Sequence, residues 1–169
     1  MSKTKYPLFY KWTLHYGPWN NIQNVLTVSD LEEFWSLFNN IICPKELGFK
    51  KDYHFFRHDV APTYEDPLNA KGGCIHIDIK DDFSDKIWMH TILGVVGLNF
   101  TDYDKITGIV GSSKAGNNVR ISLWVTISDD LTILQRIANE WKNIIQREHF
   151  KLQFFHHSEV KTYEPKYIL

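Results

Sequence analysis

Apolar positions along this chain change their period from segment to segment, and the changes mark its elements. In CIHIDIK (74–80) and VRISLWVTI (119–127) nearly every second residue is a large apolar one, the pattern of a strand with one face on a core. Shorter strand candidates fall near residues 8–15, 22–28, 53–57, 107–112, 151–155 and 164–168. Elsewhere the period lengthens to that of a helix. SDLEEFWSLFNNII (29–42) opens with Ser29 and, three residues on, Glu32, a capping-box pattern, and carries Phe34, Leu37, Phe38 and Ile41 as a stripe. Residues 84–99 put Trp88, Ile92, Val95 and Val96 on or near one face. A third helix follows Asp129 and Asp130, which suit a helix N-terminus, with Leu131, Leu134, Ile137, Ala138, Trp141 and Ile145 at helical spacing. Strands interrupted by single helices, with turn-rich connections such as APTYEDP and SKAGNN, predict an α+β domain whose helices cover one face of an antiparallel sheet.

Composition narrows the class. With 169 residues, 43% of them hydrophobic, the chain suits one domain with a substantial core rather than two. No run approaches the roughly 18 apolar residues of a membrane span, and MSKTKYPLFYKW lacks the apolar stretch of a secretory signal, so an intracellular protein without a membrane partner is expected. Cys43 and Cys74 show no metal-knuckle or disulfide spacing and are expected as free thiols; no metal or cofactor motif is found. A net charge of −1 argues against coating long stretches of nucleic-acid backbone, so any nucleic-acid contact must be local. Six Trp, eight Tyr and eleven Phe can fill a core or stack on bases, and strand parity helps decide which.

In VRISLWVTI, Ile121, Leu123, Val125 and Ile127 point one way, so Arg120, Ser122, Trp124 and Thr126 point the other. Trp124 therefore stands on the polar face, where it either lines a ligand site or covers a half-exposed edge. Trp19 in HYGPWNN and Tyr64 in APTYEDP sit in loops; each alone would more often anchor its own loop. Glu65, directly after Tyr64, changes that picture. A carboxylate can accept two parallel hydrogen bonds from the N1 and N2 edge of guanine while a neighbouring ring stacks on the base. Lys114 and Arg120 flank KAGNNVR, a turn-prone loop that brings two cations together, as a short polyphosphate requires; a solvated hairpin would look the same.

In order along the chain, KWTLHYGPWNN, EEFWSLFNNI, APTYEDPLNAKGG, DKIWMHTILGVVG and KAGNNVRISLWVT resemble the translation initiation factor 4E family of mRNA cap-binding proteins. The likeness spans roughly residues 6–127, extends through the third helix to about residue 148, and is weak beyond 150. It implies a short tail over 1–5 and a cap-binding domain over 6–169. The implied fold is a strongly curved antiparallel sheet of about eight strands, with three helices on the convex face. The concave front would hold a 7-methylguanosine nucleotide: Trp19 and Tyr64 sandwich the base, Glu65 reads guanine, Trp124 meets the N7-methyl group, and Lys114 with Arg120 hold phosphates. N7-methylation makes the base cationic, which strengthens stacking on electron-rich rings by up to about 2 kcal/mol when desolvated. On the convex side the resemblance assigns Tyr6, Pro7, Leu31, Trp35, Met89, Leu93 and Val96 to a groove. That groove would receive a Tyr-x-x-x-x-Leu-hydrophobic helix from the scaffold factor 4G or from a repressor protein. Met89, Leu93 and Val96 have the i, i+4, i+7 spacing such a surface needs. Trp35 could equally belong to the core, since Phe34, Leu37 and Phe38 crowd the same helix.

Four positions depart from the family pattern. Tyr64 replaces a tryptophan, Cys74 stands where an arginine commonly assists phosphate binding, and His90 replaces a glutamate on the partner-binding helix. The loop from Trp12 to Trp19 is short, so Trp19 is expected to need ligand to reach its stacking position. The implied role is translation initiation in the cytoplasm, with the nucleus as a second compartment. A repressor paralogue that binds the cap without recruiting the scaffold is the first alternative. The rival from another class is a hydrolase using His76 with Asp78, or His58 with Asp59, although no nucleophile elbow or phosphate-binding glycine motif accompanies them.

Overall fold

The computed structural model describes residues 5–80, 83–158 and 164–169; Met1 to Thr4, most of the expected N-terminal tail, lie outside them. The chain runs through β1 (Pro7–Tyr16), β2 (Gln23–Asp30), α1 (Leu31–Phe38), β3 (Asp52–Arg57), β4 (Gly73–Ile79), α2 (Ser84–Val96), β5 (Ile106–Ser113), β6 (Val119–Val125), α3 (Leu131–Ile145), β7 (Gln153–His156) and β8 (Tyr167–Ile168). All eight strands join one curved sheet in the order β2-β1-β3-β5-β6-β4-β7-β8, every neighbouring pair antiparallel. Each strand and helix expected from the periodicity is present.

Alternation sorts the side chains between the two faces. Ile75, Ile77 and Ile79 of β4, Ile121, Leu123 and Val125 of β6, Tyr53 and Phe55 of β3, and Trp12 and Leu14 of β1 join the buried faces of the helices in one core. From the helices come Phe34, Leu37 and Phe38, then Ile87, Trp88, Ile92 and Val95, then Leu134, Ile137, Ala138, Trp141 and Ile145. The polar atoms in this layer have partners. The Trp141 indole N–H donates to Thr91 Oγ1 at 2.8 Å, and that hydroxyl donates to the Ile87 carbonyl at 2.8 Å.

The start of α1 differs from expectation by one residue. Asp30, not Ser29, is the N-cap: its backbone is extended and its carboxylate accepts from the Glu33 N–H at 2.8 Å. Glu33, not Glu32, reaches back, accepting from Ser29 N–H and Oγ–H, both at 2.9 Å. The shift arises because β2 continues through Asp30, so Ser29 still belongs to the sheet. At α3, Asp130 caps the helix by accepting from Ile133 N–H, while Asp129 pairs with Lys166. Leu131 is largely exposed, so the buried stripe begins at Leu134.

Candidate ligand cavity on the sheet face opposite the helices

The opposite parity of the same strands builds a second surface. Cys74 and His76 of β4, Ser122 and Trp124 of β6, and Val110 and Ser112 of β5 line a cavity of about 470 Å³. Loops and strand ends complete its wall with Trp19, Tyr64, Glu65, Lys114, Arg120, Phe155 and His157. All six residues expected at the concave site thus line one cavity.

Trp124 is its floor. Only 4% exposed, it joins Phe56, Val60 and Val110 in a small apolar cluster separate from the main core. Phe56 meets it edge-on at 5.2 Å, and His157 lies tilted against it at 4.2 Å. Gly108, paired with both Trp124 and Phe56, makes this possible, because a Cβ there would lie 2.4 Å from the Phe56 ring.

The two loop aromatics stand at the cavity's mouth, both exposed. The turn carrying Trp19 is tied to β3: Gly17 N–H donates to the Asp52 carbonyl at 3.1 Å, and His54 Nε2–H donates to the Gly17 carbonyl at 3.1 Å. The Trp19 ring meets His54 edge-on and lies nearly parallel to Trp124, centroids 5.4 Å apart at 19°. A base inserted between two rings needs about 7 Å, twice the base rise of a nucleic-acid strand, so the Trp19–Trp124 stack itself admits no base. Tyr64 and Glu65 ride on a connection organised by Asn69, whose amide donates to the Ala61 and Thr63 carbonyls while its oxygen accepts from Thr107 Oγ1.

Across the cavity, the β5–β6 hairpin places the two cations. Gly116 and Asn117 both adopt positive φ, and Lys114 N–H donates to the Asn118 carbonyl at 2.8 Å, closing a tight turn. Ser112 pairs with Arg120 in the ladder, so Lys114, two residues on, is its diagonal neighbour on the same face. Arg120 is already engaged: Nε and Nη2 donate to the two oxygens of Asp78, its cross-strand partner, at 2.7 and 2.8 Å. This pairing lowers the Asp78 carboxyl and raises the Arg120 guanidinium. Burial lowers Lys114, whose ammonium has no hydrogen-bond partner among the described residues.

Between these groups lie residues beyond the six expected at the site. His76 is 5% exposed and stacks on Phe155 at 4.4 Å and 17°. His157 Nδ1–H donates to the Asn69 carbonyl at 2.8 Å. Burial lowers both histidines, taking His76 to about 4. Phe155 and His157 fall where the family likeness fades, but their equal parity in QFFHH, beside alternating β4, carried the signal. The hydrolase pairs are not assembled. Asp78 gives both oxygens to Arg120, Asp59 pairs with Arg57, and His58 Nδ1 contacts Thr13 Oγ1.

On the helix side, Trp35 is 42% exposed with its edge on Phe34, so it is not a core residue. Tyr6, Pro7 and Leu31 are exposed as well, and Leu31 N–H donates to the Tyr6 carbonyl at 2.9 Å. Met89 and Leu93 are half-buried on α2. Val96, expected on this surface, is only 8% exposed and packs into the core.

The model of the family described as eukaryotic initiation factor 4E matches residues 7–167. Eukaryotic translation initiation factor 4E of Saccharomyces cerevisiae is 36% identical over 96% of this chain and 81% of its own length. Initiation factor 4E-1 of Capsicum annuum is 32% identical over 94% and 73%. A solved complex of C. elegans eIF4E-3 with the 4E-binding protein Mextli and a cap analog superposes with a TM-score of 0.89 at 25% identity, covering 98% of this chain and all of that one. Fold, sequence and family model agree, and the chain belongs to the eukaryotic initiation factor 4E family.

Proposed function

We propose that this chain binds the 7-methylguanosine cap of mRNA in the cavity opposite the helices and serves translation initiation. The observation that carries this is the convergence of two loop aromatics, a carboxylate, a floor tryptophan and two cations on one cavity of nucleotide size. Trp19 and Tyr64 would hold the base, Glu65 its N1 and N2 edge, Trp124 the N7-methyl group, and Lys114 with Arg120 the phosphates. The C. elegans relative, whose structure holds a cap analog, supports the assignment.

On the helix side, Tyr6, Pro7, Leu31, Trp35, Met89 and Leu93 form the docking surface for a Tyr-x-x-x-x-Leu-hydrophobic helix of a scaffold or repressor protein. The exposure of Trp35 supports this, as does the Mextli complex of the same relative. Val96 shapes the groove from beneath. The working unit is the domain over 6–169, acting as a binder rather than a catalyst, in the cytoplasm where capped mRNA is translated and also in the nucleus. Among the described residues no helix is long and apolar enough to cross a membrane.

Parallel fluorescence titrations with 7-methyl-GTP and GTP test the proposal. The methylated nucleotide should quench tryptophan emission at far lower concentration, through Trp19 and Trp124. Equal quenching by both nucleotides would refute it.

A further inference from the structure

The phosphate end of the cavity is short of donors. Cys74 stands in place of a cation, and Arg120 spends Nε and Nη2 on Asp78. His76 lies in this region: it lines the cavity with Lys114 and Arg120, and the charges of Arg120, Asp78 and Lys114 all act on its ring.

Its own hydrogen bonding is incomplete. Nδ1 lies 3.9 Å from Cys74 Sγ, Phe155 covers a face of the ring, and Nε2 has no partner among the described residues. A buried polar atom left unmet is costly, which makes it a candidate for satisfaction by a ligand. Cys74 is the group that can select the tautomer. Burial pushes that thiol up to about 12, so it stays protonated and can donate to Nδ1, the arrangement that leaves the ring proton on Nε2. His76 is itself neutral, so Nε2–H is a donor without a charge.

Given the cap-binding reading above, on which this rests, we infer that His76 Nε2–H is a third phosphate-binding group, donating to a phosphate oxygen beside Lys114 and Arg120. Cys74 sets the tautomer, so the pair replaces by a neutral hydrogen bond what a charged side chain at position 74 would supply. Phe155 fixes the plane of the imidazole and shields the bond from water, where it is stronger.

Glutamine and asparagine substitutions separate this role from a packing role, because the Gln amide nitrogen reaches about as far as Nε2 and the Asn amide only as far as Nδ1. Affinities of the wild type, His76→Gln, His76→Asn and His76→Leu are measured for 7-methyl-GTP and for 7-methylguanosine, which lacks phosphates. His76→Asn and His76→Leu should weaken 7-methyl-GTP binding about tenfold, the usual effect of one hydrogen bond to a charged group. Both should leave 7-methylguanosine unchanged, and His76→Gln should stay within about threefold of wild type for both ligands. Equal binding of 7-methyl-GTP by the Gln and Asn variants, or parallel losses for nucleotide and nucleoside, would overturn the assignment. A wild type that ignores both ligands would instead overturn the cap reading, and this inference with it.

Discussion

The two faces of the sheet are made from the same strands and obey opposite rules. Toward the helices, alternate residues enter one continuous apolar core, and the buried indole of Trp141 and hydroxyl of Thr91 are both bonded. Toward the cavity, the apolar cluster shrinks to Phe56, Val60, Val110 and Trp124. Every described buried side-chain atom without a partner is also on that side: Asp52 Oδ1, His54 Nδ1, His76 Nε2 and His157 Nε2. Each such group costs roughly 1–3 kcal/mol. A fold that satisfies its polar groups on one face and leaves them open on the other draws its stability from the first and keeps the second for binding.

The sharpest way to break this division is Phe55→Ala. Phe55 is fully buried, stacked on Trp12 at 5.2 Å and met edge-on by Phe38. Its loss should cost about 3–5 kcal/mol in denaturant unfolding, while the folded fraction keeps its preference for 7-methyl-GTP over GTP. Loss of that preference would mean the faces are coupled. Glu65→Gln is the converse: the unfolding midpoint should hold while binding of 7-methyl-GTP falls by about 1.5–3 kcal/mol, because the amide offers a donor to the donor edge of guanine. Unchanged titration curves would move the base reader elsewhere. Tyr64→Ala should cost about 1–3 kcal/mol of 7-methyl-GTP binding, one base–aromatic stack. Tyr64→Trp should tighten 7-methyl-GTP but not GTP, since the gain is a cation–π term; a weaker tryptophan variant would show a pocket shaped around the phenol. The smallest stability effect belongs to Trp35→Ala, within about 0.5 kcal/mol. That variant should still bind cap and should lose a Tyr-x-x-x-x-Leu peptide in a pull-down or anisotropy assay. A collapsed thermal midpoint would contradict its exposure.

Much of this was legible in the sequence because alternation acts locally. Once Ile121, Leu123 and Val125 are inward, Trp124 must be outward, and the same logic orders β4. The α1 cap was misplaced by one residue because Ser29–Glu32 and Asp30–Glu33 are both plausible boxes, and only the length of β2 chooses between them. Asp78 looked like a catalytic acid because pairing with Arg120 depends on register between strands 42 residues apart in sequence. Val96 satisfied helical spacing for a groove, yet that spacing cannot say how deeply a helix is set into its neighbours. His76 and His157 were visible as residues, but the open valences of their rings emerge only when four strands are laid side by side.

The near-parallel rest of Trp19 on Trp124 has a kinetic consequence. If the N7-methyl group meets Trp124 on the face that Trp19 covers, that ring is an occupant the nucleotide must displace before the sandwich can close. Observed affinity is then the intrinsic affinity scaled by the fraction of molecules in which that ring has swung away. If the swing precedes binding, the observed association rate should level off at high nucleotide concentration, at the frequency with which the Gly17–Ile22 turn releases its tryptophan.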